Sequence, residues 1–291
     1  MSGPETLQPM IEKAAKDEMI ERGQKEAGVR VIQLICGDSL KIMPRMAGLG
    51  MKFDMIFIDP PYHEWGTGKI GDHKPSHRTL SALCYKLLKP NGVIWLCGTQ
   101  PQLLNDWDAW GRFFKLQAEI IWSKSIGTMA INKYNPLRTH ENIWLLIRKD
   151  AKVSDTKLNF RTKKGKKYIR KQFRDKTTAM RTRTGEYREW LIDAGYIRSV
   201  YNHPPIKPTS KEYYGHPTQK PLGLMRRLIK ASTEEGDWIL DPFAGSGTTL
   251  IAAKELNRNA IGIEINPEYC KMIRKRIDVM IGLKGLERWA K

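Results

Sequence analysis

Apolar residues in this chain gather in short unbroken runs, each closed by a turn signal, and seldom alternate with polar ones. Such runs occupy residues 31–36, 55–58, 93–97, 119–122 and 142–147, and a second set occupies 238–240 and 260–265. Runs of this length, rich in Ile, Val and Leu, predict strands buried on both faces, as in parallel sheets. Helical spacing at residues 79–88 and 248–256 predicts crossover helices between them. Strands alternating with helices make a doubly wound, mostly parallel α/β sheet, which binds ligands at the carboxyl ends of its strands. Asp38, Asp59, Asp241 and Glu264 all stand at or just beyond such ends.

Between the two sets of strands the texture changes. Residues 151–200 hold 15 Lys or Arg against 5 Asp or Glu, with aromatics interleaved. The chain therefore divides into a polar extension (1–29), with a helix expected over 10–25, a first half of the sheet (30–149), a basic segment (150–212) and a second half (213–291). The whole chain carries 50 basic and 31 acidic side chains, a formal net charge of +19, and is 41% hydrophobic. That composition excludes a wholly disordered chain and points to a polyanionic partner, nucleic acid foremost. Lys163, Lys164, Lys166, Lys167, Arg170, Lys171 and Arg174 are the candidate phosphate contacts, and basic residues mixed with aromatics suit backbone tracking and base stacking.

The four cysteines, Cys36, Cys84, Cys97 and Cys270, form no CxxC pair and no zinc spacing. They read as reduced core thiols, and no metal site is expected. No apolar run is long enough to span a membrane, and the first residues lack a signal-peptide core, so a cytoplasmic protein is expected.

Two motifs carry chemistry. DPFAGSGTT (241–249) follows a strand and opens a helix. Gly245 and Gly247 permit a tight turn, but Leu250 replaces the third glycine of a dinucleotide fingerprint, and no lysine follows Gly247 to grip phosphate. Glu264 ends the next strand, 19 residues after Gly245, where an acid can accept from both ribose hydroxyls. Turn and acid together point to an adenosine-containing ligand without pyrophosphate. The second motif is DPPY (59–62). Pro60 and Pro61 stiffen the backbone and remove two N–H donors, leaving a carboxylate, carbonyls and the Tyr62 ring around one point. That array suits an aromatic amine.

In their order, GDS (37–39), DPPY (59–62), LLKPNGVIWL (87–96), RTHENIWLLIRK (138–149), HPTQKP (216–221), DPFAGSGTT (241–249) and IGIE (261–264) resemble the amino-methylating DNA methyltransferases that use S-adenosylmethionine, in their permuted "beta" arrangement. The resemblance covers 30–149 and 213–291. It implies a Rossmann-like class I methyltransferase fold with permuted motif order and an inserted target-recognition segment. It assigns Asp38 to the cofactor's adenine amino group, and Asp241, Phe243, Ala244, Gly245, Ser246, Gly247 and Thr248 to the methionine portion and its surroundings. Glu264 falls to the ribose, and His216, Thr218, Gln219 and Lys220 to a closure over the methionine end. Asp59, Pro60, Pro61 and Tyr62 would hold the target base. An aspartate opening this motif resembles the adenine-N6 members. The alternatives are cytosine-N4 methylation and the same chemistry on RNA, with a non-enzymatic nucleic-acid-binding protein as a remote third. DNA is the first partner expected, acted on by a monomer or homodimer.

Three further readings concern structure. His73 and His77 fall in a Gly/His/Lys-rich loop over the substrate. His140-Glu141 precedes a strand. Trp107, Trp110, Phe113 and Phe114 have helical spacing and read as core.

Overall fold

The computed structural model describes residues 30–61, 75–124, 137–160, 168–169, 191–192 and 198–281, together with Pro9. The helix expected over 10–25, Tyr62, His73 and the seven candidate phosphate contacts lie outside the described residues. Contacts divide the chain into a larger unit (1–158 with 199–291) and a smaller one (159–198). The ends of the basic segment, 150–158 and 199–212, thus belong to the larger unit.

In the larger unit the first half of the sheet runs β1 (Ile32–Cys36), α1 (Ser39–Gly48), β2 (Phe53–Ile58), α2 (His77–Leu87), β3 (Leu88–Gly98), the short α3 (Gln100–Asn105) and α4 (Trp107–Trp110), β4 (Phe114–Ser123) and β5 (His140–Arg148). The smaller unit holds a two-stranded antiparallel ladder of β6 (Tyr168–Ile169) and β7 (Leu191–Ile192). The second half follows as β8 (Val200–Asn202), α5 (Leu222–Ser232), β9 (Trp238–Asp241), α6 (Thr248–Glu255), β10 (Asn259–Glu264) and α7 (Pro267–Ile281).

Eight strands form one sheet in the order β1-β10-β9-β2-β3-β5-β4-β8. The first five run parallel, and β5 runs against its neighbours β3 and β4. Its reversed direction has a chemical consequence, because β5 brings its amino end to the edge where the other strands end.

Burial on both faces explains the unbroken apolar runs. Ile94 and Leu96 of β3 join one cluster with Ile42, Met43 and Met46 of α1 and Leu80 and Leu87 of α2. Trp95, between them, points the other way and donates to Ser232 Oγ of α5 at 3.1 Å. Each such fully buried side chain contributes roughly 1.5–3 kcal/mol. Helix starts follow local chemistry. Ser76 Oγ accepts from Thr79 N at the start of α2, which begins at His77 rather than Thr79. His77 is accordingly helical, not part of a substrate loop. Its Nδ1 accepts from Trp110 Nε1 at 3.1 Å, and its Nε2 lies 3.3 Å from Asp106. Trp110 and Phe114 are fully buried, with Trp107 and Phe113 packed against them, as the spacing predicts.

The two halves of the sheet meet where β9 lies beside β2, through only two ladder pairs, Met55↔Ile239 and Ile56↔Leu240. Asp54 reinforces this short joint. It sits in a fully buried strand and accepts from Trp238 N at 2.9 Å, with Lys89 Nζ at 2.7 Å and Lys157 Nζ at 3.4 Å. Lys157 also pairs with Asp237, at the other side of the joint.

The cysteines depart from expectation. Cys36, ending β1, and Cys270, on α7, form a disulfide with Cα atoms 6.1 Å apart. β1 is the ladder neighbour of β10, the strand that leads into α7, so the sheet itself brings the two sulfurs together. Cys84 and Cys97 are free and buried, as core thiols should be.

Candidate active site

The carboxyl ends of β9 and β2 flank the point where strand order reverses, which is where open α/β sheets bind ligands. Asp241 ends β9 and Asp59 follows β2, so the two aspartates of the sequence motifs face one crevice although 182 positions separate them.

The Gly turn is built from its residues upward. Asp241 is 2% exposed, and its Oδ1 accepts from Phe243 N at 3.0 Å. Gly245 (φ 53°) and Gly247 (φ 73°) adopt left-handed backbone that side chains disfavour. A Cβ at Gly247 would also lie 2.8 Å from Ile273 Cγ2 of α7. Ser246 Oγ and Thr248 Oγ1 are 2.9 Å apart, and the buried Arg276 secures the turn from behind through Ser246 O at 2.9 Å and Thr248 Oγ1 at 3.0 Å. Glu264 Oε2 accepts from Gly245 N and Oε1 from Asn266 N, both at 2.8 Å. The acid at the end of β10 therefore also shapes the turn. Ala244 N donates to Ile263 O, closing the turn onto the same strand.

Burial pushes Asp241 up to about 7, against the hydrogen bonds from Thr249 and Phe243. Asp59 and Glu264 push it further the same way. A buried carboxylate among other carboxylates suits a cationic ligand. S-adenosylmethionine carries both an ammonium and a sulfonium, so the residues present fit that cofactor.

The HPTQKP segment lies over this turn. A Cβ on Gly245 would be 3.3 Å from His216 Nε2, and the His216 ring meets Tyr269 of α7 edge-on at 4.5 Å. Burial lowers His216 to about 4, so it is neutral near pH 7. Thr218 N donates to His216 Nδ1 at 3.3 Å, and Gln219 Oε1 accepts from Tyr214 N at 3.0 Å while its amide donates to Glu212 O. Gln219 thus braces its own loop. Asp38 caps α1, accepting from Leu40 N at 2.9 Å, and stands beside the end of β10.

Lys220 turns to two carboxylates. Its Nζ lies 2.5 Å from Asp59 Oδ2 and 3.4 Å from Glu141 Oε2. Glu141 also pairs through Oε1 with Lys124, whose ammonium lies 4.7 Å from the centre of the Trp122 ring. Burial opposes the charge on Lys220, but Asp59 and Glu141 outweigh it and raise its pKa above the ordinary lysine value. Burial likewise opposes charge on Glu141, and Lys220 with Lys124 overcomes it, holding the carboxyl below its usual range. Sequence reasoning missed Glu141. It lies inside β5, not before it, and the antiparallel direction of that strand delivers it to the site. A charged pair heading an otherwise apolar run was the available signal.

Among the described residues no group of His, Cys, Asp and Glu is arranged to hold a metal ion, and no helix is long and apolar enough to cross a membrane.

Replacing Lys220 by Met should leave the half-buried Asp59 without this ammonium and the buried Glu141 still paired with Lys124, at a cost of about 3–5 kcal/mol. With one of its two ammonium partners gone, burial raises the Glu141 carboxyl from its depressed value, so the loss should grow as pH rises. Urea unfolding at pH 6 and pH 8 measures this, and equal losses at both would disprove the coupling.

Comparison with known proteins agrees with this geometry. A family model of the N6/N4 class, described as DNA methylase, matches residues 53–275. The chain is 31% identical over 267 residues to the type II methyltransferase M2.DpnII of Streptococcus pneumoniae, covering 84% of this chain and 89% of that one. It is 30% identical over 267 residues to the DNA adenine methyltransferase YhdJ of Escherichia coli K12, covering 84% and 82%. The crystal structure of the M1.HpyAVI–SAM complex superposes with a TM-score of 0.61 at 26% identity, over 85% of this chain and all of that one. With an aspartate at each side of the switch point, a glycine turn closed by Glu264 and a model match across both halves of the sheet, this chain belongs to the N6/N4 family of DNA methylases.

Proposed function

We propose that this protein transfers the methyl group of S-adenosylmethionine to the N6 amino nitrogen of adenine in DNA. The observation that carries the proposal is the juxtaposition at the β9–β2 joint of a buried carboxylate suited to a cation, Asp241, and the DPPY carboxylate, Asp59. The relatives named as type II and DNA adenine methyltransferases support DNA as substrate and adenine as target. The aspartate that opens DPPY supports the same base.

The bound cofactor supplies an activated methyl group on a sulfonium. Asp241 would supply a carboxylate for the cofactor's positive charge, the glycine turn would hold the methionine portion, and Glu264 would accept from the ribose hydroxyls with the lone pairs its amide bonds leave. An exocyclic amino group is a weak nucleophile because its lone pair is delocalised into the ring. Asp59 accepts a hydrogen from it and the Pro60 carbonyl a second, which bends the nitrogen towards a tetrahedral geometry and exposes the lone pair. Lys220 fixes the Asp59 carboxylate in that position. Tyr62 is assigned the stacking on the base by the resemblance of its motif, and the base leaves the duplex at a cost of roughly a few kcal/mol. Positioning and preorganised electrostatics supply the rate.

Incubation with labelled S-adenosylmethionine and unmethylated genomic DNA, followed by nucleoside analysis, should yield N6-methyladenine. N4-methylcytosine, or label in RNA alone, would overturn the assignment. Asp59→Ala should abolish transfer while leaving cofactor affinity unchanged in calorimetry, and an active folded variant would move the chemistry away from DPPY.

Cofactor affinity should also depend on pH. Below about 7 Asp241 holds a proton that a cationic ligand must displace, so affinity should fall about tenfold between pH 8 and pH 6 through linkage. Asp241→Asn should remove that dependence. A wild-type affinity flat across this range would mean Asp241 does not face the cation.

The basic run is assigned the phosphate contacts. Replacing Lys163, Lys164, Lys166 and Lys167 with Ala should lower the log–log salt slope of DNA binding by up to about 0.9 per lost contact. An unchanged slope would make the run a solvated face.

A further inference from the structure

Thr99 follows the last residue of β3 and occupies the N-cap position of α3. A threonine there ordinarily turns its oxygen to the first free amides of the helix. Here it makes no side-chain cap bond. Pro101 removes one of those amides, and the other goes unused by the hydroxyl. The residue is 5% exposed, and Oγ1 has no hydrogen-bond partner among the described residues. Buried hydroxyls are nearly always paired, so one left over beside a ligand crevice marks a place where a ligand completes the bond.

The strand geometry gives its direction. Thr99 is still extended (φ −86°, ψ 148°), so the period of two places it on the same face as Cys97. That face looks at the site. Burial raises the Cys97 thiol first, then Asp59, Glu141 and Asp241 add to the shift while Lys220 opposes it. The β3–β5 ladder ends at Gly98↔Asn142, and one further step sets Thr99 opposite Glu141. The β2–β3 ladder ends at Ile58↔Leu96, next to Asp59. Thr99 therefore stands between Asp59 and Glu141, two strands away from Asp241 and the glycine turn. At about 4.8 Å per strand this sets Thr99 roughly 10 Å from the strand that carries Asp241.

We propose that the Thr99 hydroxyl donates a hydrogen bond to the ring nitrogen beside the amino-bearing carbon of the target base, making Thr99 a substrate-positioning contact. The inference rests on the amino-methylation reading above. Adenine and cytosine both carry an unprotonated nitrogen at that place. Asp59 accepts from the amino group and Thr99 donates to its neighbour, so the two read the amidine edge as an acceptor–donor pair. Bonds to two different atoms of that edge fix the rotation of the ring in its plane more firmly than contacts to the amino group alone. Glu141 contributes indirectly, by holding Lys220 against Asp59.

The test uses a duplex carrying the sequence that the wild-type enzyme methylates, with the target adenine either natural or replaced by 1-deazaadenine, whose ring carbon cannot accept. Thr99→Val should lower kcat/KM on the natural duplex by about tenfold, the scale of one lost hydrogen bond. On the deaza duplex it should cause no further loss. Thr99→Ser should restore the wild-type value. Affinity for S-adenosylmethionine, read by calorimetry, should be the same in all three proteins. The intrinsic effect of the ring carbon is common to wild type and variant, so the coupling between the two changes is the readout. Additive losses, or full activity of Thr99→Val on the natural duplex, would overturn the proposal. So would a loss of cofactor affinity, which would put Thr99 on the cofactor side. Should the valine variant not fold, Thr99→Ala carries the same cycle. A wild-type enzyme that methylates no amino group in DNA would bring down the functional reading and this inference together, whereas N6-methyladenine with uncoupled losses removes only Thr99.

Discussion

A buried ammonium cannot stand without carboxylates, and the placing of Lys220 follows from that constraint. Its partners come from the end of β2 and the start of β5, while Lys220 itself comes from the segment that lies over the glycine turn. One side chain thus ties the DPPY strand, the antiparallel strand and the closing segment into a single arrangement. Removing either carboxylate would leave the buried ammonium one partner fewer, and removing the ammonium would take from Asp59 and Glu141 a shared cation. At the opposite end of the same joint, Asp54 does comparable work between Lys89, Lys157 and the Trp238 amide. The short β9–β2 ladder is therefore reinforced by charge at its Asp54 end, while at the other end Lys220 ties the end of β2 to β5.

The arrangement also explains how a strongly basic protein keeps an acidic interior edge. Asp59, Asp241, Glu141 and Glu264 gather at one crevice, and two of them are compensated by lysines. Among the described residues, Asp241 and Glu264 take hydrogen bonds from backbone amides and a hydroxyl, and burial raises both. The crevice is thus graded. Its β2–β5 side is electrically satisfied by the protein, and its β9–β10 side is left to a cation from outside. A neutral base and a cationic cofactor fit the two sides in that order.

Much of this was legible in the sequence, for identifiable reasons. Continuous apolar runs located all seven strands they marked: β1, β2, β3, β9 and β10 are parallel neighbours, the antiparallel β5 is buried along nearly its whole length, and only the half-exposed β4 shows a short run. Turn chemistry located Gly245 and Gly247, whose positive φ the motif requires. What escaped was whatever depended on strand direction or on partners distant in the chain. Glu141 looked like a residue before a strand, because nothing local says that β5 runs backwards. The pairing of Lys220 with Asp59 and Glu141 was hidden as well, because 161 and 79 positions separate them. Cys36 and Cys270 looked like separate core thiols, since their proximity depends on the β1–β10 pairing. His77 looked like loop, because a Gly- and Lys-rich context hid the Ser76 cap. The weak polar strand β8 left no apolar run at all.

The pairing of β1 with β10 has a further meaning for how the protein is made. β1 occupies one edge of the sheet and has β10 as its sheet neighbour, so Ile32 waits for Ala260. Strands β2, β3, β5 and β4 can assemble while the chain is still being synthesised, whereas the half that receives the cofactor closes only when the last strand has emerged. Contacts this remote in sequence slow folding and lengthen the time that strand edges stand open. In a permuted sheet, the cost of moving the cofactor half to the end of the chain falls on the ribosome's timetable, and the first strand synthesised is the last to find its place.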